Sequence, residues 1–223
     1  MKKLISIVSY LPDNDDIRME RWAKLKALVD KCNDLFNLPI YILIQNYTDG
    51  EIAELSSKRN VTLSPNHPKL GITGARKALR RDCLKTGYGY FIMLDDDSDL
   101  IGTPEGGSRY LSEIDMHPSG FANFKNRQLK LFAISKDILS AVDFPDFEPD
   151  DGVGFEDTVF IARCDKAFKD RRFNIPYDIS LADLSKGACD AMSTWYDPDK
   201  HNLQDMLAKT DDMVKKEASG TAK

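Results

Sequence analysis

At 223 residues with a formal net charge of −5, the chain is long enough for one sizeable core and carries no global attraction to nucleic acid or anionic lipid. Hydrophobic residues make up 42% and charged residues 30%, a globular balance that argues against a disordered, collagen-like or membrane-embedded chain. The four cysteines, Cys32, Cys83, Cys164 and Cys189, form no C-x-x-C pair and read as reduced, mostly buried thiols of a cytosolic protein.

Met1-Lys2-Lys3 ahead of the apolar run Leu4 to Tyr10 has the outline of a signal peptide. The run breaks at Pro12 and enters Asp13-Asn14-Asp15-Asp16 with no small-residue cleavage site, so it reads as a first strand. No stretch approaches the roughly 20 apolar residues that span a bilayer, and no membrane partner is expected. Ile17 to Phe36 has helical periodicity through Trp22, Leu25, Leu28, Val29 and Cys32. Pro39 to Ile44 is a buried strand ending at Gln45-Asn46-Tyr47, Asp49 to Lys58 a short helix, and Val61 to Leu63 a third strand.

Gly71-Ile72-Thr73-Gly74 opens a helix with Thr73 as its expected cap. Ile72, Ala75, Leu79 and Cys83 line one face, and Arg76, Lys77, Arg80 and Arg81 are assigned to the other. Gly87-Tyr88-Gly89 ends it, and the buried strand Tyr90 to Leu94 runs straight into Asp95-Asp96-Asp97. Gly102 to Gly107 reads as loop, Leu129 to Ile134 as strand, Lys136 to Val142 as helix, and the acidic Pro145 to Gly154 as a candidate mobile loop. A helix starts near Asp157, and Leu203 to Lys216 is a terminal helix. Strands alternating with helices predict an α/β fold with a mostly parallel central sheet, a domain over 1–205 and a C-terminal helix and tail over 206–223.

Three consecutive carboxylates at the end of a buried strand repel one another unless something compensates them, and a divalent cation is the obvious candidate. Carboxyl ends of parallel strands are also where open α/β sheets bind ligands. Mg²⁺ or Mn²⁺, held by one or two carboxylates and completed by phosphate oxygens, fits such a site; a solvated acidic turn is the bland alternative. An EF-hand is excluded, because Leu100 and Gly106 stand where its glycine and glutamate belong. A phosphatase using the first Asp of D-x-D as nucleophile is a rival, without a downstream lysine and paired-aspartate set to support it.

The ordered set Gly71-Ile72-Thr73-Gly74-Ala75-Arg76, strand Tyr90 to Leu94, Asp95-Asp96-Asp97 and Gly154-Phe155-Glu156-Asp157 resembles the GT-A-fold glycosyltransferases, in particular their family-2-like members. Lys77 stands where many relatives have asparagine. The resemblance implies a Rossmann-like single domain using a nucleotide-diphosphate sugar and Mn²⁺ or Mg²⁺, with inversion at the sugar. Asp95 and Asp97 are then donor and metal contacts, Asp96 a further donor contact, and Arg76 a diphosphate contact at a helix opening. Asn46 is a candidate nucleobase or ribose contact, or an ordinary turn residue. Asp157, beside Glu156, is the candidate base that deprotonates the acceptor hydroxyl, or else a helix cap. His201, closing the segment Trp195 to His201, is a candidate third metal ligand or a surface histidine.

Compact enzymes of this kind are similar to phage glycosyltransferases that act on hydroxymethylated bases in DNA. A DNA acceptor would call on local cations such as Lys125, Arg127 and Lys130 or Arg171-Arg172, while a saccharide or small-molecule acceptor stays open. A sugar-nucleotide-binding module without activity is the remaining alternative class.

Overall fold

The computed structural model describes residues 1–122, 131–146, 156–176, 181–183 and 203–219. In chain order the elements are β1 (Lys3–Tyr10), α1 (Asp15–Leu35), β2 (Ile40–Gln45), α2 (Asp49–Ser56), β3 (Val61–Leu63), α3 (Gly71–Lys85), β4 (Tyr90–Asp95), β5 (Leu100–Gly102), α4 (Pro104–Met116), β6 (Phe121–Ala122), β7 (Phe132–Ser135), α5 (Lys136–Ala141), α6 (Glu156–Phe168), β8 (Leu181–Asp183) and α7 (Leu203–Ser219). A six-stranded sheet has the order β3-β2-β1-β4-β7-β6, and β5 pairs with β8 apart from it. Strands β3, β2, β1 and β4 are mutually parallel, whereas β7 runs antiparallel to both β4 and β6. This is the Rossmann-like α/β class with a mostly parallel sheet that the alternating pattern predicts.

Period-two alternation divides the core between the two faces of the sheet. Ile5 and Ile7 of β1, with Tyr90, Ile92 and Leu94 of β4, meet Leu25, Leu28, Val29 and Cys32 of α1 and Tyr110 and Ile114 of α4. Leu4 and Val8, with Phe91 and Met93, meet Leu79 and Cys83 of α3, Ile138 and Leu139 of α5, and Phe160 and Ile161 of α6. Each such side chain contributes about 1.5–3 kcal/mol on burial, so both helical layers are bound to the sheet. Cys32, Cys83 and Cys164 are buried free thiols, as the sequence suggests.

Local chemistry sets the helix boundaries. Asn14 caps α1 by accepting from Ile17 N at 3.1 Å, and Thr48 with Glu51 forms a reciprocal capping box on α2. Thr73, expected to cap α3, instead lies buried inside its first turn: the helix begins at Gly71, whose φ of +70° turns the chain into it. The segment expected to be a loop over Gly102 to Gly107 contains the start of α4, where Thr103 accepts from Gly106 N at 3.1 Å and Pro104 sits at the first helical position. Gly107 is required there, because a Cβ would collide with the Leu35 carbonyl of α1. Helix α7 packs on α6 and begins at Leu203, where the sequence places the terminal helix. Among the described residues no helix is long and apolar enough to cross a membrane.

Candidate active site

The parallel strands end together. Register pairs Val8 with Asp95 and Tyr10 with Gln45, so the loops leaving β1, β2 and β4 emerge along one edge. That edge carries the acidic run, which leaves the strand at Asp95 and enters a turn closed by Ser98 N donating to Asp95 O at 3.1 Å. Asp95 is partly exposed and Asp97 is intermediate, whereas Asp96 between them is only 5% exposed.

Asp96 is turned into the protein. Its Oδ1 lies 3.3 Å from Arg21 Nη2 of α1, and its Oδ2 accepts from Ser9 Oγ at 2.6 Å and from Tyr10 N at 3.4 Å. With the Ser9 proton committed to Asp96, the 2.6 Å contact between Ser9 and Tyr47 is a bond in which the tyrosine donates. Burial raises the Tyr47 phenol, with the Asp96 charge adding to it, and keeps that donor protonated. Arg21 Nη1 also donates to the Tyr10 carbonyl at 3.4 Å. Asp96 therefore pins the start of the β4 loop to β1, α1 and Tyr47.

Asp95 faces a second buried arginine. Arg76, 1% exposed, donates through Nη2 to Asp95 Oδ1, and its Nε lies 3.6 Å from Glu156 Oε1 at the start of α6. Its placement corrects the assignment to a basic outer face: Arg76 stands three residues before Leu79 and seven before Cys83, on the buried stripe of α3. Burial disfavours its charge, but Asp95, Glu156 and Asp157 outweigh that and raise its pKa. Glu156, 5% exposed, is pushed up to about 7, by burial first and then by Asp157, against the pull of Arg76 and with Asp95 adding. Asp157 is half-buried in the first turn of α6, where Oδ1 accepts from Thr158 N at 2.6 Å. The helix starts one residue before Asp157, which places that carboxylate inside the turn rather than ahead of it.

The compensation inferred for the three carboxylates is thus partly internal: Arg76 serves Asp95 and Arg21 serves Asp96. Among the described residues no group of three or more His, Cys, Asp or Glu side chains converges as a metal cage. Asp95, partly exposed beside Arg76, and Asp97, half-buried with its Oδ1 inside the protein, remain as candidate hard-oxygen donors. They suit a cation that takes one or two protein carboxylates and fills its shell with phosphate oxygens and water. His201 lies outside the described residues, as do Gly154 and Phe155.

Asn46 holds the left-handed conformation at φ +61°, and its Nδ2 donates to Leu11 O and Asp13 Oδ1, each at 2.8 Å. It ties the loop after β2 to the loop after β1. Arg18 strengthens that tie, giving Nε to Glu51 at 2.9 Å, Nη2 to Asn46 O at 2.9 Å and Nη1 to Pro12 O at 3.2 Å. Gln45 Oε1 accepts from Leu70 N at 2.9 Å and so fixes the entry to α3. Ser9, Arg18, Arg21, Gln45 and Tyr47 are absent from the sequence-based candidates. Arg21 had a visible signal, since it stands four residues before Leu25 on the apolar stripe of α1.

No protein-family model matches the chain, and no curated protein sequence is similar to it. Several solved structures are similar to it. S. aureus TarS superposes with a TM-score of 0.56 at 12% identity, covering 81% of this chain and 36% of TarS. The glycosyltransferase GlyE of Streptococcus pneumoniae TIGR4 gives 0.48 at 15% identity, over 78% and 45%. A chain of Desulfovibrio desulfuricans G20, provisionally named a nucleotide-diphospho-sugar transferase, gives 0.48 at 13% identity, over 97% and 99%. This chain thus spans about a third of TarS, and the likeness at such identity is one of fold.

Proposed function

We propose that this protein is a metal-dependent glycosyltransferase that moves a sugar from a nucleotide-diphosphate donor to an acceptor hydroxyl. The observation that carries the reading is the convergence, on the ligand-binding edge of the sheet, of Asp95 at the end of β4 with Glu156 and Asp157 at the start of α6, around the single guanidinium of Arg76. Asp95 and Asp97 would hold Mn²⁺ or Mg²⁺, with His201 as the candidate third ligand. Bound there, the cation would neutralise the departing diphosphate.

The chain's own groups divide the remaining work. Asp157 is the general base that takes the acceptor proton, and Glu156 beside it is the buried neighbour that faces Arg76. Asp96 serves the donor indirectly, by fixing the loop that carries Asp95 and Asp97. Asn46 and Arg18 shape the nucleoside end between the β1 and β2 loops. Attack by the acceptor opposite the departing diphosphate inverts the sugar.

The acceptor we favour is a saccharide or small-molecule hydroxyl. Arg171 pairs with Asp137 and Arg172 with Asp165, each at 2.7 Å, and these carboxylates cancel the local positive potential that DNA phosphates require. Lys125, Arg127 and Lys130 lie outside the described residues. A DNA acceptor is tested by nucleoside masses after incubation with hydroxymethylated DNA, where an added sugar would displace this choice.

The class itself is tested with Mn²⁺ and a panel of nucleotide sugars. A transferase releases nucleoside diphosphate slowly even onto water. Release of inorganic phosphate would identify a phosphatase instead, and release of neither from any donor would leave a binding module.

A further inference from the structure

Arg76 is a buried cation whose hydrogen-bonding capacity is only partly used. One donor is spent on Asp95, while Nε and Nη1 are buried without a hydrogen-bond partner among the described residues. Leaving such donors unmet costs about 1–3 kcal/mol each, more when the group is charged, so the arrangement has to be held by its surroundings. Helix α3 holds it, since Ala75, Leu79 and Cys83 pack the same helix against the sheet and Arg76 is itself only 1% exposed.

The nearest carboxylate for the unspent Nε is Glu156, 3.6 Å away and beyond an ordinary bond of about 2.9 Å. Asp95 belongs to the strand that presents the acidic run, and Glu156 opens the helix that presents Asp157. One rigid fork therefore lies between the two elements on which the proposed chemistry depends. Lysine could not serve both, being a point charge without a planar pair of donors.

Resting on the transferase reading, we propose that Arg76 is a positioning residue. It couples the carboxylate that ends β4 to the start of α6, so that when a cation and diphosphate draw on Asp95 the guanidinium turns its free donors to Glu156 and sets Asp157 against the acceptor. Only hydrogen bonds are exchanged in this step. Direct contact between Arg76 and the diphosphate is the competing role, and it requires a group 1% exposed to reach a ligand in the crevice.

The test uses Arg76→Lys, Glu156→Gln and the double variant in the full chain. Positioning predicts that Arg76→Lys binds the donor within about threefold of wild type while kcat falls about 10–100-fold, the scale of a misplaced reacting group. It also predicts that the double variant is no slower than the slower single variant, because both changes cut the same link. A raised donor Kd with kcat kept would assign Arg76 to the diphosphate. A lowered melting temperature with unchanged kcat per folded molecule would make it structural. Either overturns the proposal. If wild type is silent towards every donor, the transferase reading fails separately; the link is then read from urea unfolding of the same four proteins, and additive effects on the unfolding constant would refute it.

Discussion

Two buried arginines flank the acidic run, and they differ in how fully they are satisfied. Arg21, on α1, gives one nitrogen to Asp96 and another to the Tyr10 carbonyl, and Asp96 takes two further bonds from Ser9 and Tyr10. Arg76, on α3, holds Asp95 with one nitrogen and leaves two buried donors open beside Glu156. A closed network fixes a conformation; an open one keeps capacity for a change of partner. The same run of three aspartates thus has a structural centre at Asp96, flanked by Asp95 and Asp97, the metal ligands of the proposed function.

The largest expected effect breaks the closed side. Asp96→Ala strands the Arg21 charge in the interior and should cost about 3–5 kcal/mol, measured as a lower midpoint in urea. If the loss were within a few tenths of a kcal/mol, Asp96 would be no anchor and the contrast would collapse.

On the open side, Asp157→Asn should leave folding and donor affinity intact and lower transfer by at least about 10²-fold, which is roughly 2.7 kcal/mol. Equal activity accompanied by reduced stability would place Asp157 in the helix turn alone.

A smaller effect sharpens the electrostatics around Glu156. Its pKa rises from an ordinary 4.5 to about 7, so between those values the folded state binds more protons than the unfolded one and stability falls as pH rises. The groups facing it are Asp157 on its own helix, Arg76 from α3 and Asp95 from β4. Glu156→Gln removes that slope. The drop in melting temperature from about pH 5 to about pH 8 should be smaller in the variant than in wild type. Glu51, Asp115 and Asp146, whose pKa values are lowered, finish titrating below this window and leave the comparison undisturbed. Parallel curves for the two proteins would show that Glu156 stays ionised.

Much of this architecture is legible before folding. Period-two and period-3.6 patterns locate β1, α1, β2, α3 and β4 to within a few residues, because each element has a continuous apolar face. Helix α4 is hidden by Gly106 and Gly107, which look like loop residues, although Gly107 is what lets α4 approach Leu35. The antiparallel direction of β7 has no local signature, since strand periodicity is the same in either sense. In the candidate site, Asp95-Asp96-Asp97 marks the place, but the burial of Asp96 follows from the turn after β4 and from Arg21 arriving out of α1, which the run itself does not record. Arg21 and Arg76 both occupy apolar stripes, and a charge on such a stripe is the sequence sign of a buried pair. The contribution of Asn46 is a left-handed turn and two tertiary bonds, which no linear motif records.

The central claim is that Asp95 and Asp97 bind a nucleotide sugar through a cation. Calorimetry with the donor identified from the panel tests it most directly, using wild type and Asp97→Ala with Mn²⁺ and then with chelator. Donor binding in wild type should require the cation, and Asp97→Ala should lose it while staying folded, since removing one carboxylate from the crowded run relieves repulsion. Undiminished donor binding in chelator would contradict the account.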